Sequence, residues 1–450
     1  MLYTMPEEKE KKNQIIQTPK GMHDILPEDY AYFNHFYEKA DDISSYYGFQ
    51  PIETPILEKT ELFARTLGET TDIVEKEMYT LKTKGGDQLA LRPEGTASVM
   101  RSYIQHGMHT LPQPVLFAYK GPFFRHENPQ FGRYRSFHQY GLEILGEEKS
   151  IGDAMIIQIF QTILEELKVG PVIVKINSLG DKDCRPVYRK NLIAYYKKHF
   201  HALCKDCKNR FKTNPLRLLD CKDSKCVEIR KDAPQMIQHL CHKCKESFRE
   251  VLEFLEASKI PYMIDNYLVR GLDYYSRTVF EFFMDEKTEA DSIALGGGGR
   301  YDELGRIIGK RDVPAVGAVL GVDRVIQIMK TRKIPTKGKR QPKIFLIQLG
   351  VAAKYKSLGL LEMFRKAHIP IYQSLSKDSL KSQLIIALKL EMSYALILGQ
   401  KEAIDNTIIV QNIDNREQET VPMGLIVEHI KTLLADSGSR AREDSIRGKK

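Results

Sequence analysis

Apolar and polar residues over the first part of the chain follow one helical pattern and then strand patterns. Large apolar side chains recur at helical spacing over residues 27–47, and Gly48 stands where a left-handed residue commonly follows a helix. An alternating stretch at 52–56 predicts a strand interrupted by prolines. A long amphipathic helix is therefore predicted as the first element, with strands after it.

Two pairs of strand patterns come next. Residues 78–83 and 88–91 flank the turn sequence 84–87, which predicts a hairpin. Residues 115–125 and 135–145 form a second pair on either side of a polar loop. Because few helical patterns separate these segments, they indicate an antiparallel sheet.

Beyond residue 342 the pattern changes to an alternation of strands and helices. Strands are predicted at 344–347, 369–372, 394–398 and 407–410, and helices between the first two strands, at 379–390 and near 425–434. Such alternation is typical of a small α/β domain. The predicted fold class is thus multidomain, with an α+β part built on antiparallel sheet and a small α/β part at the C-terminus.

The length of 450 residues exceeds what one hydrophobic core usually serves, so two or three domains are expected. Residues 334–342 are basic and lack a hydrophobic pattern after Ile334, which predicts a linker. The ends, 1–16 and 436–450, are charged and aperiodic, and we predict that both are disordered. No apolar run could span a membrane and no signal-peptide pattern is seen, so a cytoplasmic protein without a membrane partner is expected.

The charge balance leaves the partner open. The chain has 68 basic and 59 acidic side chains, a net charge of +9. This mild excess permits nucleic-acid binding, but many proteins that bind no nucleic acid share it.

All seven cysteines lie between positions 184 and 244. An odd number in a chain without an export signal argues against a secreted disulfide framework. The pairs Cys204/Cys207 and Cys241/Cys244 have the spacing of tetrahedral zinc ligands, with a further pair between them. A structural zinc on Cys204, Cys207, Cys241 and Cys244, or a set of reduced buried thiols, would each account for the pattern.

Candidate chemistry begins on the strand predicted at 135–145. Gln139, Gly141 and Glu143 occupy alternate positions, so they share one face, and Gly141 removes the side chain between two polar groups. Taken alone, this triplet is more typical of a solvent-facing polar strand. The adjoining strand end and loop, however, contribute three arginines, Arg125 and Arg133 among them, and guanidinium groups bind phosphate oxygens in a bidentate manner.

A second candidate site is the segment 92–96, Arg-Pro-Glu-Gly-Thr. Its proline favours an extended entry, and Gly95 allows a close approach to the backbone. Glu94 and Thr96 then offer a carboxylate and a hydroxyl, which suit an ammonium group. The same residues also fit the start of a helix, and both interpretations can hold together.

Two segments of the second half carry weaker signals. Arg270 precedes an aromatic pair and a strand predicted at 278–283; alone, it reads as a surface salt bridge. The glycine run 296–299 alone predicts a flexible loop, since it lacks the Lys-Ser or Lys-Thr of a phosphate-binding Walker loop.

Together, these strings resemble the signatures of histidyl-tRNA synthetases, a family of class II aminoacyl-tRNA synthetases. The matching segments are 92–96, 115–145, 268–282, 294–302 and 316–324. The resemblance implies a class II catalytic domain at 17–180 and 262–333, an insertion on the tRNA acceptor side at 181–261, and an anticodon-binding domain at 343–435. Through the helix at 27–47 it also implies a homodimer.

The resemblance implies three catalytic arginines. Arg125 would hold the α-phosphate of ATP, and Arg324, in the first turn of a helix whose dipole favours negative charge, would meet the triphosphate. Arg270 would bridge the histidine carboxylate and the α-phosphate. Arg133 would bind ATP on the adenine and γ-phosphate side.

The resemblance also implies a histidine pocket. Its members would be Glu94, Gly95, Thr96, Gln139, Glu143, Tyr274, Tyr275 and Tyr301. Glu143 and Tyr275 would face the two imidazole nitrogens, and Tyr301 would close the pocket. One carboxylate and one phenol would then discriminate histidine from Gln or Asn, because a wrong ligand leaves a buried polar group unpaired.

The implied activity is that of an ATP- and Mg²⁺-dependent ligase, which makes histidyl-adenylate and pyrophosphate from L-histidine and then charges the 3′ end of tRNA(His). Two non-catalytic alternatives exist. A regulatory subunit of ATP phosphoribosyltransferase resembles the catalytic domain, but without the anticodon-binding domain or the full arginine string. A tRNA sensor would be expected to lack Arg125 or Arg324, and both are present here.

Overall fold

The structure is a computed structural model. It describes residues 15–68, 71–129, 132–285, 294–336 and 342–435. Of the two tails predicted to be disordered, residues 1–14 and 436–450 lie outside the described residues, whereas Ile15 and Ile16 are described and exposed.

The chain divides into two compact units between residues 336 and 337, inside the segment predicted as a linker. Ile334, the first residue of that segment, is buried in the core of the first unit. Residues 337–341 of the predicted linker lie outside the described residues.

The first unit contains both sheet and helix. Its strands are β1 (Gln50–Pro51), β2 (Leu57–Lys59), β3 (Thr80–Lys82), β4 (Gln88–Leu91), β5 (Val115–Phe124), β6 (Ser136–Leu145), β7 (Val172–Ser178), β8 (Tyr262–Ile264), β9 (Ser276–Met284), β10 (Gly296–Arg300) and β11 (Ala315–Gly321). Its helices are α1 (Pro27–Tyr46), α2 (Thr60–Leu67), α3 (Thr96–Gln105), α4 (Ile151–Glu166), α5 (Arg185–Lys198), α6 (Lys205–Thr213), α7 (Ser224–Lys231), α8 (His242–Ala257), α9 (Leu304–Gly309) and α10 (Val322–Thr331).

Eight strands form the main sheet, in the order β1-β5-β6-β11-β10-β9-β7-β8. The two edge pairs, β1/β5 and β7/β8, are parallel, and the five pairs between them are antiparallel. The predicted antiparallel sheet is confirmed. Apolar side chains of α1, α4 and α10 pack on one face of this sheet and form its core.

The helix α1 follows its predicted pattern closely. It ends at Tyr46, and Gly48 has a φ of 83°, the left-handed conformation expected there. The strand predicted at 52–56 is wrong: only β1 and β2 form at either end of it. Pro55 has no N–H to donate to a ladder, so the alternating pattern does not become a strand.

A separate three-stranded sheet has the order β2-β4-β3. The hairpin predicted over residues 78–91 is confirmed, because β3 and β4 pair antiparallel with Lys82 opposite Gln88. Gly86 takes a φ of 97° in the turn between them. This small sheet delivers the chain to Arg92 and the start of α3.

The glycine run, predicted from its composition as a flexible loop, is instead the strand β10 at the centre of the main sheet. A Cβ on Gly296 would lie 2.2 Å from the backbone oxygen of Val319, and one on Gly298 would lie 2.0 Å from that of Gly317. The neighbouring strand leaves no room for side chains there, so close packing of backbone rather than flexibility explains the glycines.

Gly298→Ala should therefore destabilise the first unit by about 1–3 kcal/mol, because the rigid backbone of β11 must move to admit a methyl group. Urea unfolding monitored by circular dichroism measures this. Gly85→Ala is the control, since a Cβ there meets nothing closer than 3.7 Å. Equal stability of both variants would mean that β10 does not pack against β11 as described.

Between β7 and β8 the chain is helical. It contains α5 to α8, which contribute Tyr188, Leu192, Phe248 and Leu255 among their buried side chains. All seven cysteines belong to this stretch, and all are free thiols.

The second unit is the predicted small α/β fold. It contains β12 (Ile344–Gln348), α11 (Val351–Lys366), β13 (Ile371–Gln373), α12 (Leu380–Lys389), β14 (Tyr394–Leu398), α13 (Gln400–Asp405), β15 (Thr407–Asn412), β16 (Gln418–Pro422) and a helix at 426–435. Its sheet order is β13-β12-β14-β15-β16, parallel for the first three strands. α13 and β16 are elements that the sequence patterns missed. Among the described helices, none is both long and apolar enough to cross a membrane.

Candidate active site

A buried polar cluster lies on the main sheet around Glu143, which is 0% exposed. Its carboxyl group accepts hydrogen bonds from the hydroxyls of Thr96 at 2.7 Å, Tyr119 at 3.2 Å and Tyr301. Gly317 is paired with Glu143 on β11, and a Cβ there would lie 1.6 Å from Glu143 Oε2. Three hydroxyl donors from three different elements thus converge on one carboxyl group.

The space beside Gly141 and Gly95 is filled by Tyr119. The sequence suggested that both glycines leave room for a ligand. A Cβ on either glycine would instead lie 2.2 to 2.3 Å from the Tyr119 ring. Tyr119 is paired with Gly141 across β5 and β6, so the glycines admit the phenol that reaches Glu143. The register of β5 against β6, which the sequence patterns did not show, brings Tyr119 to this site.

Burial, with a smaller contribution from the nearby charge of Glu94, outweighs the hydrogen bonds from Tyr301 and Thr96 and raises the pKa of Glu143 to about 8. The unfolded chain would ionise this carboxyl near 4.5. The folded protein therefore holds a proton on Glu143 at neutral pH that the unfolded chain releases.

A pH prediction follows from this raised pKa. Protonated Glu143 stabilises the fold fully below the unfolded pKa, and that contribution is lost as pH rises toward about 8. Between pH 6 and 9, wild type should lose roughly 2–3 kcal/mol of unfolding free energy relative to Glu143→Gln, which cannot titrate. Urea titrations of both proteins at several pH values measure the difference. A constant difference would contradict the raised pKa.

Glu94 lies beside this cluster at the N-terminus of α3. Its two carboxylate oxygens accept the backbone N–H groups of Thr96 at 2.7 Å and Ala97 at 2.9 Å, and the Tyr274 hydroxyl donates to it at 3.3 Å. The helix cap suspected at Thr96 is thus made by Glu94, and the hydroxyl of Thr96 is free to reach Glu143. Burial raises the pKa of Glu94, and the two backbone donors oppose this.

Arg270 adjoins the cluster through aromatic side chains. Its guanidinium lies 5.3 Å from the centre of the Tyr275 ring, which packs 4.7 Å from the ring of Tyr274. Its Nη1 forms an ion pair with Glu281 of β9, a partner that sequence patterns did not reveal. Among the described residues, Nε of Arg270 has no hydrogen-bond partner although it is buried.

A neighbouring pocket collects the other predicted arginines. It is lined by Arg125, Glu127, Gly132, Arg133, Tyr134, Phe137, His138, Gln139, Leu295, Gly296, Val319, Gly321, Asp323 and Arg324. Glu127 Oε1 lies 3.7 Å from Arg125 Nη1, and Glu127 Oε2 lies 3.4 Å from Arg133 Nη1. One carboxylate therefore pairs with two guanidinium groups. Oε1 of Gln139 is buried and unpaired within the described part of the chain.

Backbone carbonyls hold Arg324 and Arg125 in this pocket. Arg324 Nε donates to the oxygen of Gly132 at 2.9 Å and Nη1 to that of Ala294 at 2.6 Å, while Arg125 Nε donates to Pro93 at 2.9 Å. Burial, together with the charges of Arg133 and Arg125, lowers the pKa of Arg324. Positive charge is therefore in excess here, and an anion would relieve the repulsion.

Arg300, at the end of β10, has a structural role that the sequence patterns did not indicate. Its side chain and that of Asp153 on α4 are both 0% exposed and form an ion pair. Arg300 also donates to the backbone oxygens of Glu147 and Lys149. This network fixes the end of β10, from which Tyr301 reaches Glu143.

The cysteines do not group as the sequence suggested. Cys204, Cys207, Cys241 and Cys244 belong to two clusters, because the pairs lie at the starts of different helices, α6 and α8. One cluster contains Cys204, Cys207, Cys221 and Cys226, and the other contains Asp181, Cys184, Cys241 and Cys244. The single zinc site predicted from the two Cys-x2-Cys pairs is therefore wrong.

A buried cluster of carboxyl and hydroxyl groups around Glu143 thus lies on the same antiparallel sheet as an arginine-rich pocket, and a separate α/β unit follows along the chain. The class that this fold and site define is that of class II aminoacyl-tRNA synthetases. Comparison with known proteins specifies it further. The family model "Histidyl-tRNA synthetase" matches residues 21–325, and the model "Anticodon binding domain" matches residues 343–433.

The chain belongs to the histidyl-tRNA synthetase family. It is 41% identical over 417 residues to the histidine–tRNA ligase of Dehalococcoides mccartyi, covering 93% of this chain and 99% of that one. The crystal structure of apo S. aureus histidyl-tRNA synthetase is 32% identical with a TM-score of 0.75, covering 92% and 99%. A Bacillus halodurans structure titled ATP phosphoribosyltransferase regulatory subunit/histidyl-tRNA synthetase, 20% identical at a TM-score of 0.61 over 86% and 99%, shares the fold alone.

Proposed function

We propose that this chain is a histidine–tRNA ligase, which activates L-histidine with the magnesium complex of ATP and transfers it to the 3′ end of tRNA(His). The observation that carries the proposal is the buried carboxyl group of Glu143 beside Arg270 and the arginine pocket. Family membership over more than nine-tenths of the chain supports it.

In the first step, a carboxylate oxygen of histidine attacks the α-phosphorus of ATP. The bond from that phosphorus to the bridging oxygen breaks, and pyrophosphate leaves with the electron pair. Arg125 and Arg324 stabilise the charge that grows on the phosphate oxygens, and Arg270 holds the attacking carboxylate in line. The protein supplies position and charge, and no side chain forms a covalent bond.

In the second step, the terminal ribose hydroxyl of tRNA attacks the acyl carbon of histidyl-adenylate. The carbon–oxygen bond to phosphate breaks, AMP leaves, and the hydroxyl proton is transferred to an oxygen of the leaving phosphate. The second unit, which matches the anticodon-binding model, would bind the other end of the tRNA.

Histidine would be recognised at both of its ends. Glu94 and Thr96 would bind the α-amino group, and a third ammonium partner would be Gln139, whose Oε1 is unpaired among the described residues. The imidazole would lie between Glu143 and Tyr275. Glu143 already accepts hydrogen bonds from three hydroxyl groups. A ligand without an N–H for Glu143 would leave these hydrogen bonds unchanged, but it would gain no binding energy from the carboxyl group.

Two alternatives share the fold: a regulatory subunit without catalysis and a tRNA sensor. The full set Arg125, Arg270 and Arg324, together with a complete second unit, favours the ligase over both. Histidine-dependent exchange of labelled pyrophosphate into ATP by the purified chain distinguishes them. Exchange with histidine alone among the amino acids is expected, and a folded protein without exchange would support the alternatives.

We also propose that the enzyme is a homodimer that associates through α1 and the strands next to it. This region exposes Tyr30, Tyr46 and Leu57, at 54%, 88% and 42% of their surface. Covering such side chains is favourable by roughly 25 cal/mol per Å² of apolar surface. Sedimentation equilibrium gives the mass directly, and a monomer at micromolar concentration would refute the dimer.

A further inference from the structure

We propose that the helical stretch between β7 and β8 binds two zinc ions in each chain. One ion would be held by Cys204, Cys207, Cys221 and Cys226, and the other by Asp181, Cys184, Cys241 and Cys244. No step of the proposed reaction uses either ion, so this inference goes beyond the proposed function and can fail independently of it.

The distances in the first cluster match a tetrahedral thiolate site. Its four sulfur atoms all lie within 4.8 Å of one another, and Sγ of Cys204 is 3.8 Å from Sγ of Cys221. A tetrahedron whose centre lies about 2.3 Å from each sulfur has edges of about 3.8 Å. A disulfide would require a sulfur separation of about 2 Å.

The backbone around the first cluster is arranged as in metal-bound thiolates. Cys204 caps α6, and the backbone N–H of Cys207 donates to its sulfur at 3.4 Å. The N–H of Cys204 donates to the sulfur of Cys226, in the first turn of α7, at 3.3 Å. N–H donors and two helix N-termini favour the negative charge that zinc-bound sulfur carries.

The second cluster repeats this arrangement with one oxygen ligand. Cys184 and Cys241 occupy the N-cap positions of α5 and α8, and the N–H of Cys241 donates to the sulfur of Cys184 at 3.0 Å. Oδ1 of Asp181 accepts the N–H groups of Asp183 and Cys184, which leaves Oδ2 facing Cys241 Sγ at 3.9 Å. A carboxylate oxygen is an established zinc ligand.

The two clusters account for every cysteine in the chain. Seven thiols and one carboxylate make eight ligand groups, which is what two tetrahedral sites require. The pair Cys204/Cys207 would be completed by two cysteines that follow it in the chain. The pair Cys241/Cys244 would be completed by two residues that precede α5. A site with four protein ligands, most of them thiolates, and no open coordination position is typical of structural zinc and not of catalytic zinc.

The first site would also stiffen one wall of the active site. The segment that follows α6 carries Asn214, whose amide donates to Asp273 at 2.7 Å, and Arg217, which lies 3.6 Å from Asp72. Asp273 lies three residues after Arg270. Holding this segment with a metal would therefore restrict the loop that positions Arg270.

The direct test is elemental analysis of the full-length protein, purified under reducing conditions without added metal. We expect about two zinc ions per chain, a content near one for Cys207→Ser and for Cys244→Ser, and near zero for the double variant. Asp206→Asn and Asp183→Asn change neighbouring acids outside the clusters and should retain two. A wild-type content near zero or one, or iron or copper in place of zinc, would overturn the proposal.

The oxygen ligand provides a test that does not depend on a cysteine variant folding. Asp181→Ala should reduce the zinc content to about one ion, whereas Asp181→Cys should retain two with sulfur as the only ligand atom. X-ray absorption spectra of wild type should fit an average zinc coordination of 3.5 sulfurs and 0.5 oxygen, because seven sulfurs and one oxygen are divided between two separate ions. Identical metal content in both Asp181 variants would exclude Asp181 as a ligand. Pyrophosphate exchange, measured separately on wild type, tests the proposed function.

Discussion

Arg270→Ala should lower kcat for histidine-dependent pyrophosphate exchange by roughly 10²–10³-fold, the loss typical when one donor that stabilises a transition state is removed. Arg270 is buried against Tyr275, paired with Glu281, and still has an unpaired Nε among the described residues. A guanidinium held in this way can bind carboxylate and phosphate oxygens without rearranging. Steady-state kinetics with histidine and ATP measure the loss.

Stability must be separated from catalysis in this experiment, because the alanine variant leaves the partly buried carboxylate of Glu281 without its cation. Adding Glu281→Gln should recover the unfolding free energy of Arg270→Ala but not its activity. Arg306→Ala removes an arginine whose pair with Asp312 is exposed on α9, so it should retain full exchange. Activity of Arg270→Ala within about threefold of wild type would exclude the assigned role.

Glu143→Gln should lower kcat/KM for histidine by roughly 10²-fold, mainly through KM for histidine and not KM for ATP. The amide brings two donor hydrogens, one more than the protonated carboxyl group, into a site where Thr96, Tyr119 and Tyr301 all donate. At least one buried hydroxyl must reorient or lose its partner, at about 1–3 kcal/mol, and the imidazole loses a group that can ionise to pair with it. Kinetics with each substrate varied in turn separate the two constants.

Glu148→Gln is the matched control, since Glu148 is an exposed carboxylate paired with Lys243. It should bind histidine as wild type does. Tyr301→Phe removes one of the three donors to Glu143 and should show an intermediate loss. A normal KM for histidine in Glu143→Gln would place the imidazole elsewhere in the pocket.

Sequence patterns predicted the elements whose signals are local. The periodicity of α1, the turn between β3 and β4, and the strands β5, β6 and β9 all follow from residues within one element. The predicted strand at 52–56 failed because its prolines outweigh its alternation, and the predicted loop at 296–299 failed because composition does not show which strands pack on either side.

The candidate site was predicted in its members but not in its contacts. The motif resemblance predicted Glu94, Glu143 and Arg270 as site residues, and these residues lie close to one another in the structure. The resemblance did not predict Tyr119 or Glu281, which lie on other strands and meet the site only through sheet register and packing.

The sequence by itself determined the elements that have strong local signals, the family that the motifs resemble, and the residue types available for chemistry, because these depend on neighbours along the chain. Only the tertiary structure decided which groups meet. It separated Cys204 from Cys241, filled the space beside Gly141 with Tyr119, and made the glycine run a central strand. The physical reason is that burial, sheet register and helix packing bring together residues whose separation along the chain no local pattern records.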